Sequence, residues 1–257
     1  MAYPVSVSEL TVKHRRTAAL NTLDLRLGRG VHGLLGPNGA GKTSLIRVLA
    51  TVAPYQGGRL ELLGHDPTTH QGRTAIRRRL GYLPQEFGHY PGFTVREFVA
   101  YVAWLKEMPA AEVPDAVERA VARVGLEDRI DRRIKTLSGG MVRRVGIAQA
   151  IVNDPDVLLL DEPTAGLDPE QRVDFRALLR ELGAHATVLV STHLVEDVAA
   201  ACTEVTLLFG GRGVFRGTPQ ELAAAWDGDA AGDSPIERGY SAVLRGHRLR
   251  TDRGVTA

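Results

Sequence analysis

The chain has 257 residues, enough for one large α/β domain or two small ones and ample for a buried core. Its 32 basic and 30 acidic residues leave a formal net charge of +2, too small to argue for nucleic acid or an acidic membrane as the main partner. Cys202 stands alone, which excludes a disulfide framework and a cysteine-rich metal site and fits a reducing compartment.

The start, MAYPVSVSEL, has neither a basic region nor a long apolar run, so it reads as no secretory signal. No apolar run approaches the ~18 residues of a membrane span. A cytosolic chain is expected, with any membrane spanning left to another chain. Apolar and polar residues alternate from Val5 to Val12 and again at Leu23, Leu25 and Leu27, predicting half-exposed strands of an antiparallel sheet. GRG at 28–30 is a turn. VHGLL (31–35) predicts a short buried strand running into GPNGAGKT, and Leu45, Ile46, Leu49 and Val52 mark a helix behind it. Gly57-Gly58 predicts a turn before a further strand, RLELLG, and the three arginines at 77–79 read as a solvated face. GYLPQEF (81–87) predicts a strand ending at Pro84. Thr94 and Glu97 form a capping box for a helix over Val95, Phe98, Val99 and Val102. A second helix is expected over roughly 114–124, stopped by Gly125. Residues 88–152 thus form a mostly helical insert. Strand character returns at VLLLDEP, apolar at every position from Val157 to Leu160, as in a parallel strand covered on both faces. Asp168-Pro169 opens a helix that Gly183 closes. TVLVS (187–191) predicts another buried strand, THLVEDVAAA a helix, and TLLFGGRGVFRG a closing hairpin. Beyond Trp226 the Gly-, Asp- and Ser-rich tail is expected to pack loosely, with one short helix in SPIERGYSAVLRG.

Chemistry concentrates at two places. GPNGAGKT matches G-x-x-x-x-G-K-[ST] between a predicted strand and helix. The loop Gly36, Pro37, Asn38, Gly39, Ala40, Gly41, Lys42, Thr43 and the following Ser44 is placed to surround phosphate oxygens at a helix N-terminus, with the backbone N–H of every residue but proline as donor. Lys42 reaches the β and γ phosphates; the Thr43 hydroxyl is placed for Mg²⁺. Only four of the 32 basic residues are lysines, so a lysine in the glycine loop is no arbitrary charge. VLLLDEP then puts two carboxylates at the C-terminal end of a buried strand, where open parallel sheets hold ligands. Asp161 is a candidate metal ligand and Glu162 a candidate general base for a water. Both motifs fit any phosphate-loop NTPase.

LSGGM (137–141) narrows the field, although in isolation it is equally well a serine cap followed by flexible glycines. With GPNGAGKT, Gln85 in YLPQ, LSGGM, VLLLDEP, AGLD (165–168) and His193 in STHL in this order, the chain resembles the ATP-binding subunit of an ABC transporter over roughly residues 5–225. The resemblance implies an α/β phosphate-loop NTPase of ABC type: a mostly parallel core sheet, an N-terminal antiparallel β subdomain and the helical insert, together spanning 1–226, with 227–257 as a tail. It implies ATP and Mg²⁺ as ligands, with Gln85 touching the metal and the nucleophilic water and His193 contacting the γ-phosphate. Two such chains pack head to tail, so Ser138, Gly139 and Gly140 serve the partner's ATP and Asp168 lies at the dimer interface. A transmembrane permease is the expected partner, docked beside EFGHYPGFTVREF, with export the expected direction. The second ATPase subunit is of the same or a different kind, no nucleic acid is expected, and the location is the cytoplasmic face of the membrane.

Two residues depart from the family pattern. Met141 stands where glutamine is common, and His14 stands where an aromatic, usually tyrosine, stacks on adenine. The competing reading is an ABC ATPase acting on nucleic acid or ribosomes. Such relatives usually carry two cassettes, long coiled coils or zinc inserts, and this chain has one cassette and none of these. A regulatory module without catalysis is opposed by Glu162 and His193.

Overall fold

The computed structural model describes residues 3–255 other than Arg16, Asp227 and Asp229. Strands β1 (Val5–His14) and β2 (Thr17–Leu27) lead to β3 (Gly30–Leu35) and helix α1 (Lys42–Leu49). Next come β4 (Gly57–Leu62), α2 (His70–Arg78) and β5 (Leu80–Leu83). The helical insert follows as α3 (Val95–Leu105), α4 (Val113–Arg123) and α5 (Gly139–Ile151), with 3-10 turns at Glu127–Arg129 and Ile134–Thr136. The chain then alternates through β6 (Val157–Asp161), α6 (Pro169–Gly183), β7 (Thr187–Ser191) and α7 (Val195–Ala201). It closes with β8 (Glu204–Phe209), β9 (Arg212–Gly217), α8 (Pro219–Ala224) and α9 (Pro235–Val255).

Two sheets form. β2, β1 and β4 make an antiparallel three-stranded sheet in that order. The core sheet runs β5-β6-β7-β3-β8-β9, parallel except for the β8–β9 hairpin. The fully apolar strands work as their sequences predict, with alternate residues feeding different cores. From β6, Leu158 and Leu160 pack with α5 and α6, while Val157 and Leu159 face α1 and the antiparallel sheet. Along β7, Val188 and Val190 take the first side and Leu189 the second. Fully burying each such side chain contributes about 1.5–3 kcal/mol.

Several local expectations meet the structure directly. Thr94 and Glu97 complete the capping box of α3, and Gly125 takes φ 64 just past α4. Gly57 lies inside β4 rather than in a turn before it. The helix after STHL begins only at Val195, because Leu194 N–H turns back to the Thr192 hydroxyl. The tail expectation needs correction. Its helix is not short: α9 has 21 residues. Nor is it loosely held, since Ile236 and Leu244 are buried with Leu222, Val205 and Val198 against α7, α8 and β8. The small and polar residues of the segment hide an apolar spacing (Ile236, Tyr240, Val243, Leu244) that is helical.

Candidate active site

β3 delivers the chain into the glycine loop, and α1 leaves it. Gly36 and Gly41 sit at φ 154 and φ 105 with neighbouring backbone hard against them. A Cβ on Gly36 would stand 2.4 Å from the Leu208 carbonyl oxygen, and one on Gly41 2.4 Å from that of Ala19. No side chain caps α1 and no acidic residue lies in its first turn. Its first N–H groups are therefore left for an outside acceptor, on the end of the helix that favours an anion. Lys42 is buried, and its Nζ donates to the carbonyls of Gly36 (2.6 Å) and Pro37 (3.3 Å). Burial holds the Lys42 pKa below the usual lysine range, opposed by the negative charges of Glu162 and Asp161.

The acidic pair is set by the register of two parallel strands. Asp161 ends β6 beside Ser191, which ends β7. The Ser191 hydroxyl donates to Asp161 Oδ1. Asp161 Oδ2 is buried and has no hydrogen-bond partner among the described residues. A buried carboxylate oxygen without a partner is costly, and it suits a hard cation held by one or two carboxylates, a threonine hydroxyl and substrate phosphates. The donor set Asp161, Thr43 and Gln85 thus fits Mg²⁺. Glu162 turns away in the left-handed region, φ 49, a conformation that costs a non-glycine residue about 1–2 kcal/mol. Its N–H donates to both the carbonyl and the hydroxyl of Ser191 (3.1 Å each). Its Oε2 lies 2.9 Å from His193 Nδ1.

A cleft of about 500 Å³ runs from His14, Ala18 and Ala19 along residues 38–44 to Gln85 and Glu162. His193 joins it through Glu162, while Gly36 and Pro37 back it through Lys42. His14 ends β1 with its Nε2 2.9 Å from the Ser44 hydroxyl. Ser138, Gly139, Gly140 and Asp168 do not line this cleft. Ser138 is the N-cap of α5 and accepts from the Met141 N–H at 3.3 Å. That leaves the first two amides, Gly139 and Gly140, pointing out of the helix end. Asp168 caps α6, accepting from the Gln171 N–H at 2.9 Å. Met141, where the family's glutamine is common, packs against the apolar core of the helical lobe.

Two site residues escape a motif reading. One is Ser191, which grips both members of the acidic pair. The other is Arg143, which lies buried behind them and donates to five carbonyls: Pro84, Gln85, Asp161, Glu162 and Pro163. A signal for Arg143 was present: it shares a helical stripe with Gly146, Ile147 and Ala150, all buried, and a charge on a core stripe needs an explanation.

A family model described as ABC transporter matches residues 20–165. The Nod factor export ATP-binding protein I of Paraburkholderia xenovorans (strain LB400) is 41% identical over 194 residues, 75% of this chain and 63% of that protein. The daunorubicin resistance ATP-binding protein DrrA3 of Streptomyces coeruleorubidus is 38% identical over 213 residues, 82% of this chain and 67% of that protein. The chain therefore spans less than two thirds of the first relative's length. A solved ATP-binding subunit of an ABC transporter superposes with a TM-score of 0.82 over 93% of this chain and 99% of its own, at 24% identity, a likeness of fold.

Proposed function

The chain belongs to the ABC transporter family, and from that premise we propose that it binds and hydrolyses Mg-ATP to power export of a substrate by a separate transmembrane permease. The observation that carries this reading is the single cleft joining the glycine loop to Glu162, with His193 bonded to the same carboxylate. The amides of residues 38–44 and the N-terminus of α1 hold the phosphates. Lys42 leaves its two carbonyl partners, or shares them, to meet the β and γ oxygens. Asp161 and the Thr43 hydroxyl would hold Mg²⁺, with Gln85 beside them, and the ion would supply neutralisation of the phosphate charge. Glu162 takes the proton of the attacking water, and His193 holds the carboxylate in place and reaches the γ-phosphate. His14 lies along the base.

Because Ser138, Gly139 and Gly140 lie off this cleft, they serve the ATP of a second ATPase subunit, of the same or a different kind, and Asp168 lies in the interface. The permease docks near the aromatic cluster on the insert, where Tyr90, Phe93, Tyr101 and Trp104 touch ring to ring and Trp104 is 67% exposed. Among the described residues no helix is long and apolar enough to cross a membrane; the chain's place, with the permease, is peripheral on the cytoplasmic face. Glu162→Gln tests the chemistry: the amide keeps the shape but cannot take a proton. ATP affinity is expected to hold while phosphate release slows at least ~100-fold. Near-normal turnover by that variant would move the base elsewhere.

A further inference from the structure

We propose that Arg143 is a positioning residue: it fixes the spacing between Gln85 and Glu162 and ties both to the position of α5. The inference rests on the catalytic reading of Glu162 and Gln85 given above. Arginine has five N–H donors in a rigid plane, and here each one has an acceptor. Nη1 reaches the carbonyls of Pro84 (3.2 Å) and Gln85 (2.8 Å). Nη2 reaches those of Asp161 and Glu162 (2.7 Å each), and Nε that of Pro163 (3.2 Å). The guanidinium thus stands between the two chain segments that leave the paired strands β5 and β6 at the cleft. One edge holds the approach to Gln85 and the other holds the turn that carries Glu162.

That turn needs holding. Glu162 sits at φ 49, and such conformations persist where the surroundings over-determine them. Its N–H is gripped by Ser191 and its C=O by Arg143. The backbone that aims the carboxylate is therefore held from β7 by Ser191 and from α5 by Arg143, beside the local Ala165 N–H, while His193 holds the carboxylate itself. Arg143 lies one helical turn beyond Gly139 and Gly140. A displacement of the α5 N-terminus moves the fork, and with it the carbonyls that set the base. The aligned fork cannot be replaced by a lysine, whose compact ammonium has three donors and cannot span both segments.

The test compares Arg143→Met and Arg143→Lys with the unaltered chain and with Glu162→Gln. Turnover, KM for ATP and equilibrium ATP affinity are measured, with amide hydrogen exchange at residues 85–87 and 162–166. In Arg143→Met, kcat is expected to fall at least ~30-fold while KM and affinity move less than ~3-fold, the scale of a misplaced catalytic group. Arg143→Lys should fall between, and exchange should quicken in those two segments. A folded Arg143→Met with kcat near that of the unaltered chain overturns the inference, as does an equal loss of turnover and affinity. If Arg143→Met does not fold, Arg143→Lys decides on the same split; if neither folds, Arg143 is a fold residue and the inference falls. Should Glu162→Gln retain turnover, the catalytic reading itself is at fault, whatever Arg143 does.

Discussion

The Lys42 ammonium has two carbonyls for company, Gly36 and Pro37, and sits buried with its charge disfavoured. Phosphate oxygens are stronger acceptors for it than neutral carbonyls, because they add the attraction of an opposite net charge to the hydrogen bond. Lys42→Ala should therefore weaken ATP binding itself, by about tenfold or more, equal to about 1.4 kcal/mol. An ATP titration with unchanged affinity would remove Lys42 from the phosphate site. His14 poses the opposite case, since its ring is already tethered to Ser44 at the mouth of α1. His14→Tyr offers a larger π face and should tighten ATP binding roughly threefold; His14→Ala should weaken it by a similar factor. If neither variant changes affinity, the base lies elsewhere. At this scale the residues of the cleft were legible because they come in short runs whose chemistry is local: GPNGAGKT and VLLLDEP each bring their own geometry. Arg143 and Ser191 were not, because their work depends on partners far along the chain. The carbonyls of Pro84 and Gln85 are 59 and 58 residues from Arg143, and only the packing of α5 under β5 and β6 brings them within reach.

Elements show the same division. Strands β3, β6 and β7 are legible because continuous or alternating apolar runs leave few choices. Helix α2 is not: of HQGRTAIRR only Gly72 and Ile76 are buried, so no apolar stripe betrays it. The end of α3 carries a test of its own. Lys106 closes that helix and sends its ammonium to the carbonyls of Leu80 and Arg77, stitching the helical insert to α2 and β5. Burial, with the nearby Arg77 charge, lowers its pKa to about 8 from an ordinary 10.5. Between these values the unfolded chain keeps a proton that the folded chain has shed, so unfolding takes up a proton and stability rises with pH. The contribution is fully present above the unfolded value and is lost as pH falls through about 8. Relative to Lys106→Met, the unaltered chain should gain roughly 2 kcal/mol in urea unfolding between about pH 7.5 and 9.5. Parallel stabilities at the two pH values would mean that Lys106 titrates normally. Helix α9 is tested by Leu244→Ala. Leu244 is 7% exposed among Leu222, Val205 and Val198, so its truncation should cost about 2–4 kcal/mol by urea denaturation. A cost near zero would return the tail to a loose appendage.

For the whole molecule, the question is why the uncapped amides at the head of α5 should sit apart from the cleft along the glycine loop. The head-to-tail pair proposed above would answer it, with each α5 N-terminus closing the cleft of the other. The two glycines are not equivalent as probes. A Cβ on Gly140 would meet Gln171 Oε1 at 2.8 Å and the Gly166 carbonyl at 3.3 Å, disturbing the chain's own α6 and the loop before it. A Cβ on Gly139 meets nothing within 4 Å, so Gly139→Asp adds charge to the outer face without repacking the monomer. In a Glu162→Gln background, ATP should convert monomer to dimer on a sizing column, because without hydrolysis the closed pair does not reopen. Adding Gly139→Asp sets a carboxylate against the opposing γ-phosphate, and like charges at such a contact repel strongly. The double variant should bind ATP within about twofold of its parent yet stay monomeric, while the unaltered chain should show specific activity that rises with its concentration. If the natural mate is a different chain, the same comparison belongs to the mixed pair. Loss of ATP binding by monomeric Gly139→Asp would assign these glycines to the chain's own cleft, and the two-chain site would have to be abandoned.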